Sequence, residues 1–166
     1  MPSPQPDVSL SRHGIFLNEA ISIALDNVLS NLGGPFGAVI VQEDQVIARA
    51  VNQVTTGQDP TAHAEVQAIR SACSALGNFQ LRGCTLYSSC EPCPMCLGAI
   101  YWARLDAVFF AATRYDAARA GFDDALIYQQ LTIPTAQRVI PFLQIDLPLN
   151  GEPFLAWIER QDKAPY

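Results

Sequence analysis

His63-Ala64-Glu65 and, further along the chain, Pro92-Cys93-Pro94-Met95-Cys96 are the two stretches on which the reading of this sequence turns. Together they supply one imidazole, two thiols and a carboxylate that coordination does not need. Structural zinc usually takes four protein side chains, whereas catalytic zinc takes three and leaves a position for water. His63, Cys93 and Cys96 are therefore candidate zinc ligands of an open site. Glu65 lies two residues from His63, close enough to stand beside that water and move its proton.

The flanking residues predict helices at both stretches. Thr61 is a candidate N-cap for a helix over 62–76, with apolar positions at Val66, Ile69, Cys73 and Leu76, and this places His63 and Glu65 in its first turn. A second helix is predicted over 94–104, with Pro94 in the first turn, where its missing N–H costs nothing. Cys93 and Cys96 then share a face. Two helix N-termini converging on one cation would favour thiolate over thiol.

Plainer readings compete. A lone Cys-x-x-Cys can be a redox pair or half of a structural zinc site, and a lone histidine is commonly a core residue. The chain has two histidines, and His13 sits in an N-terminal helical stretch with no cysteine or carboxylate pattern around it. His-x-Glu followed by Pro-Cys-x-x-Cys is far more specific than either motif alone. A zinc-binding protein without turnover is the non-enzyme alternative, and the unligated Glu65 argues against it. Cys90 reads as a small buried residue near the site, and Cys73 and Cys84 as core.

Working outward, the chain alternates helix and strand. A helix is predicted over 12–32, with apolar positions Ile15, Leu17, Ile21, Leu25, Val28 and Leu32, ended by Gly33-Gly34. Strands over 36–41 and 45–52 flank a Glu43-Asp44 turn as a hairpin, and a 53–60 loop leads to His63. Strands follow over 84–89 and 107–111, then a broken helix over 114–131 with a stop at Gly121. This order predicts an α/β fold, a mixed sheet with helices on its faces.

These residues carry a resemblance to the cytidine deaminase superfamily, whose signature is His-x-Glu with Pro-Cys-x-x-Cys. It rests on Pro35-Phe36-Gly37-Ala38-Val39, Asn52, residues 61–65, the run from Ser89 to Arg104, Ala120-Gly121-Phe122-Asp123-Asp124 and the terminal Tyr166. The stretches Tyr101-Trp102-Ala103-Arg104 and Gly121-Phe122-Asp123-Asp124 resemble the bacterial guanine deaminase branch in particular. The resemblance implies a three-layer α/β/α domain with a mixed five-stranded sheet. It also implies zinc-dependent conversion of guanine to xanthine and ammonia. By the same resemblance Asp124 assists the leaving amine, Asn52 hydrogen-bonds the base, Phe36, Trp102 and Ala64 line its pocket, and Tyr166 reaches in from the C-terminus. Transfer-RNA adenosine deaminases, and deaminases of cytosine, cytidine or a triazine, are the neighbouring alternatives.

Charge favours a small substrate. Ten basic against sixteen acidic residues give a net charge of −6 and a pI near 4.7, the wrong sign for holding a phosphate backbone. Arg104, Arg114, Arg119 and Arg138 are scattered among acids. With 166 residues, 49% of them hydrophobic, one domain is expected over 1–166, with a flexible leader over 1–10. Five cysteines, an odd number, argue against a disulfide framework and point to the cytoplasm. No apolar run approaches a membrane span.

The last third is broken by Pro134, Pro141, Pro148 and Pro153 before a short apolar helix over 154–161. Residues 132–166 read as a docking tail, either packed on their own domain or, as the resemblance implies, exchanged between the subunits of a homodimer.

Overall fold

In the computed structural model, which describes residues 11–164, four strands form one mixed sheet in the order β2-β1-β3-β4. The elements run α1 (Arg12–Leu29), β1 (Gly37–Gln42), β2 (Gln45–Val51), α2 (Val54–Gly57), α3 (Ala64–Leu76), β3 (Cys84–Cys90), α4 (Pro94–Trp102), β4 (Ala107–Ala112), α5 (Arg114–Arg119), α6 (Ala125–Thr132) and α7 (Glu152–Glu159), with a 3-10 turn at Thr135–Gln137. The leader expected over residues 1–10 and the terminal Tyr166 lie outside the described residues.

The β1–β2 hairpin is the one the sequence predicts. Gln42 faces Gln45 across it, so Glu43 and Asp44 make a two-residue loop, with φ of 47° and 67°. Positive φ at both central residues matches the right-handed twist of the strands. β1 also pairs antiparallel with β3, and β3 pairs parallel with β4 through the α4 crossover.

Strand alternation splits the core in two. Ala38 and Ile40 of β1, with Cys84 and Leu86 of β3, pack against Ala64, Ala68 and Ala72 of α3 and Ile100 of α4. On the opposite face Val39, Val41 and Tyr87 meet Ala20, with Phe16, Leu17 and Ile23 of α1 against them. Both faces are covered, which gives the expected α/β/α layering. The sheet, however, has four strands among the described residues and not five. Beyond β4 the chain enters α5 and α6, and the later extended stretches are interrupted by prolines that cannot donate to a ladder.

Helix α1 departs from expectation in length and in facing. Ser11 caps it, its Oγ accepting from Gly14 N at 3.1 Å, and the helix stops at Leu29 because Asn31 turns left-handed at φ 54°. Of the apolar positions at helical spacing, Ile15, Ile21, Leu25, Val28 and Leu32 are exposed. The face against the sheet carries Gly14, Ala20, Ala24 and Asn27. Close approach explains the choice of small residues: a Cβ on Gly37 would collide with the Ala20 carbonyl and lie 2.7 Å from Ile23 Cγ1. His13 stacks on Phe109, ring centroids 4.1 Å apart, and its Nδ1 hydrogen-bonds the Tyr87 hydroxyl at 2.9 Å, so this histidine braces the α1 side of the sheet.

The described residues fall into two compact units, 11–124 and 125–164. The break expected at Gly121 is there, at φ 93°. Within the second unit, Val139 N donates to Gln130 Oε1 at 2.7 Å, and the Arg138 guanidinium lies over the Phe142 ring. Lys163 Nζ donates to the Trp157 and Ile158 carbonyls near the end of α7. None of the described residues from 125 onward is buried. Among the described residues no helix is long and apolar enough to cross a membrane.

Candidate metal centre

The N-terminal ends of α3 and α4 carry the cluster. β3 ends at Cys90 and delivers the chain to Cys93, the N-cap of α4, with Pro94 in the first turn. α3 starts two residues later than expected, and its N-cap is His63, not Thr61. Thr61 is engaged elsewhere, because its N–H and its hydroxyl both donate to Asp59 Oδ1, at 2.8 and 2.7 Å. His63 therefore sits just ahead of the helix in extended backbone (φ −68°, ψ 151°), while Glu65 falls in the first turn. Glu65 is thereby aimed inward, where it is only 5% exposed.

His63 Nδ1 lies 3.5 Å from Cys93 Sγ and 3.5 Å from Cys96 Sγ, and the sulfurs are 3.6 Å apart. Zinc bonds of about 2.3 Å to sulfur and 2.0–2.1 Å to nitrogen, at tetrahedral angles, require separations of about 3.5–3.6 Å between nitrogen and sulfur and about 3.8 Å between the sulfurs. The three edges fit that requirement closely. No other group of three metal-ligating side chains this compact occurs among the described residues. Cys90 stands apart, its Sγ donating to the Thr113 carbonyl at 3.6 Å. Cys73 and Cys84 belong to the core on the α3 side.

Electrostatics favour metal at this position. Cys93 is held down to about 4, chiefly by the hydrogen bond it shares with Cys96, with His63 adding to the effect. The same bond pushes Cys96 up, so the first proton to leave the cluster leaves Cys93. Zinc held by these residues would need the second thiol deprotonated as well, so its affinity would rise with pH. Burial raises the Glu65 carboxyl above its ordinary range, the property wanted of a group that must hold a proton part of the time. Burial also raises Asp124, helped by the negative charge of Cys93, whose field reaches this half-buried carboxyl. Cys90 is pushed up to about 11 by burial and by Glu65, and stays a thiol.

Asn52 and Phe36 adjoin the cluster through the backbone. Asn52 N donates to Phe36 O at 3.0 Å, and Gln53 N donates to Ala62 O at 2.9 Å, one residue before His63. Asn52 Oδ1 accepts from Gly34 N and Val54 N, at 3.4 and 3.3 Å, which leaves the side-chain Nδ2 as its donor. Phe36 is half-buried and meets Phe122 edge to face, ring centroids 5.0 Å apart. Ala64 is fully buried at the start of α3. Trp102 is 64% exposed at the far end of α4, about 13 Å along the helix axis from Cys93 at 1.5 Å per residue.

Two supporting residues escaped the sequence reading. Asn27, only 3% exposed in α1, donates from Nδ2 to the Gly34 and Asn52 carbonyls, at 2.9 and 3.0 Å, and so ties together the two segments that carry Phe36 and Asn52. Ser88 Oγ donates to Glu65 Oε1 at 3.4 Å. A polar residue inside an otherwise apolar buried row was the one available signal for each.

Comparison with known proteins agrees with this geometry. Residues 10–112 match the family described as the cytidine and deoxycytidylate deaminase zinc-binding region. The guanine deaminase of Bacillus subtilis (strain 168) is 55% identical over 154 residues, which cover 93% of this chain and 99% of that protein. Its crystal structure superposes with a TM-score of 0.91 over 93% of this chain and 98% of its own. The tRNA-specific adenosine deaminase of the same organism is 50% identical, over 47% of this chain and 48% of its own length. A solved protein in complex with 8-azaguanine is 31% identical, with a TM-score of 0.64 over 69% of this chain and 65% of its own.

Proposed function

From the fact that this chain belongs to the cytidine and deoxycytidylate deaminase family, and within it to the guanine deaminases, we infer that it hydrolyses guanine to xanthine and ammonia. The observation that carries the reading is the three-cornered cage of His63, Cys93 and Cys96, of zinc dimensions, with the buried Glu65 beside it. Zinc bound there would lower the pKa of a water to about 7 and so supply a nucleophile at neutral pH.

The chain's own groups then do the rest. Glu65 takes a proton from the attacking water and delivers it to the ring nitrogen next to the amine-bearing carbon. The second proton of the same water, left on the new hydroxyl, is then carried by Glu65 to the exocyclic amine, and ammonia leaves as the C–N bond breaks and the C–O bond becomes a carbonyl. Asp124 assists this transfer, its raised carboxyl being suited to hold that proton. Asn52, its carbonyl oxygen already engaged, offers Nδ2 to an acceptor on the base, and Phe36 supplies an apolar wall. The choice of guanine over a tRNA adenosine is supported by coverage: the guanine deaminase relative aligns over nearly the whole chain, the tRNA deaminase over half. The net charge of −6 points the same way.

We propose further that the working unit is a homodimer in which the C-terminal segment docks on the neighbouring subunit. Two observations support this. Leu143, Ile145 and Leu147, in a stretch without regular secondary structure, and Phe154 and Ile158 of α7 are all more than half exposed. Apolar surface of that extent on a soluble protein marks an interaction site. Trp102, 64% exposed and remote from the candidate metal ligands of its own chain, would in this reading serve a neighbour's base pocket, and Tyr166 would arrive with the docked tail. Five free cysteines fit a reducing compartment, which we take to be the cytoplasm. The test is to follow guanine absorbance and ammonia with zinc-loaded protein, running cytidine, adenosine and a tRNA anticodon stem in parallel. Turnover of guanine is expected, and turnover of the tRNA alone would overturn the assignment.

A further inference from the structure

Along β3, Cys84 and Leu86 point into the apolar core under α3 and α4, and alternation sends Ser88 to the same side. Ser88 is only 2% exposed. A hydroxyl in such a row is a poor choice for packing, since burying it is unfavourable unless it hydrogen-bonds. Among the described residues its side-chain partner is the carboxylate of Glu65, at 3.4 Å. Glu65 has three side-chain torsions to fix, and His63, its neighbour in sequence, is turned toward the sulfurs. We propose that Ser88 is a positioning residue for the reaction, its hydroxyl anchoring Glu65 Oε1 so that Oε2 is the oxygen presented to the water and to the ring nitrogen of the base.

The inference rests on the role given to Glu65 above. It assigns Ser88 no contact with substrate and no share in holding the metal. What the hydroxyl supplies is aim: a reacting group displaced by about 1 Å can lose about a hundredfold in rate. A single long hydrogen bond controls a fraction of that, so the loss expected on removing it is about tenfold.

Ser88→Thr and Ser88→Val make the test, because the two variants occupy the same volume and differ in the hydroxyl. Whatever the added methyl disturbs is common to both. With guanine as substrate, S88V is expected to have a kcat about tenfold below that of S88T, with equal KM and equal zinc per chain. In a Glu65→Ala background the difference should vanish, since the group being aimed is gone. Crystal structures of the two should show the Glu65 carboxylate shifted in S88V and unshifted in S88T. Equal kcat in the two variants overturns the proposal. So does a difference of the same size in the Glu65→Ala background, or zinc lost from S88V alone, because either would mark Ser88 as scaffold. If the unmodified protein leaves guanine untouched, the functional assignment fails separately, and the Glu65 position in the two crystal structures then decides the role of Ser88.

Discussion

Replacing Glu65 by glutamine tests the mechanism most directly, because the substitution keeps shape and removes one chemical capacity. The side chain is nearly fully buried and touches Ser88, and the glutamine amide oxygen can still accept from that hydroxyl. Zinc should stay at one per chain, since His63, Cys93 and Cys96 form the cage without Glu65. Stability should not fall, because burial disfavours the ionised carboxylate and glutamine carries no charge to desolvate. The rate should fall steeply. A positioned general acid or base contributes about 10²–10⁴ in rate, equivalent to about 2.7–5.4 kcal/mol at 1.36 kcal/mol per decade. Glu65 is asked for the first transfer alone and for part of the second, with Asp124 helping at the second only. The loss should therefore lie toward the upper end, about 10³–10⁴. The assay is ammonia release from guanine under saturating substrate, with metal content and thermal melting measured on the same preparation. A kcat within threefold of the parent, or a variant that has lost its zinc, would refute the assignment of proton transfer to Glu65.

Three further outcomes follow from other parts of the molecule. Asn52→Asp keeps an oxygen for the Gly34 and Val54 N–H groups but replaces the amide donor by a carboxylate oxygen, so binding of 8-azaguanine should weaken by about tenfold or more, about 1.4 kcal/mol; unchanged affinity by calorimetry would remove Asn52 from the base site. Asp116 is held below its ordinary 3.8, chiefly by the Thr113 backbone N–H and then by the Thr113 hydroxyl. Its contribution to stability is therefore complete above that pH and lost as pH falls through the lowered folded value; Asp116→Asn should melt earlier at pH 7, and the gap should close in acid, whereas a gap that widens there would contradict the sign. The exposed apolar side chains of the C-terminal unit lead us to expect a dimer by sedimentation at micromolar concentration, and a monomer would count against docking between subunits.

How much of this was legible depends on how local each feature is. The hairpin at Glu43-Asp44, the break at Gly121 and the two halves of the candidate metal site each follow from spacings of a few residues, and chain geometry alone constrains those. His63 with Glu65, and Cys93 with Cys96, were readable for that reason. The facing of α1 was not. Leu25 and Val28 look like core by hydrophobicity, yet Ala20 and Ala24 face the sheet, because Gly37 lets the helix approach so closely that only small side chains fit. The start of α3 at Ala64 was hidden as well, since the loss of Thr61 to Asp59 is a matter of loop geometry.

Residue types and short spacings by themselves determined which donor groups are on offer: one imidazole, two thiols and a spare carboxylate, in a chain of net charge −6. Only the tertiary structure decided that these groups meet at 3.5–3.6 Å, that the sheet stops at four strands, that Asn27 braces Asn52 and that Ser88 lies under Glu65. The division has a physical cause. Which donors a segment carries is a property of side chains a few residues apart, whereas the meeting of His63 with Cys93 and Cys96, and the buried hydrogen bonds between α1 and the strand ends or between β3 and α3, exist only once distant segments are packed and water is excluded from between them.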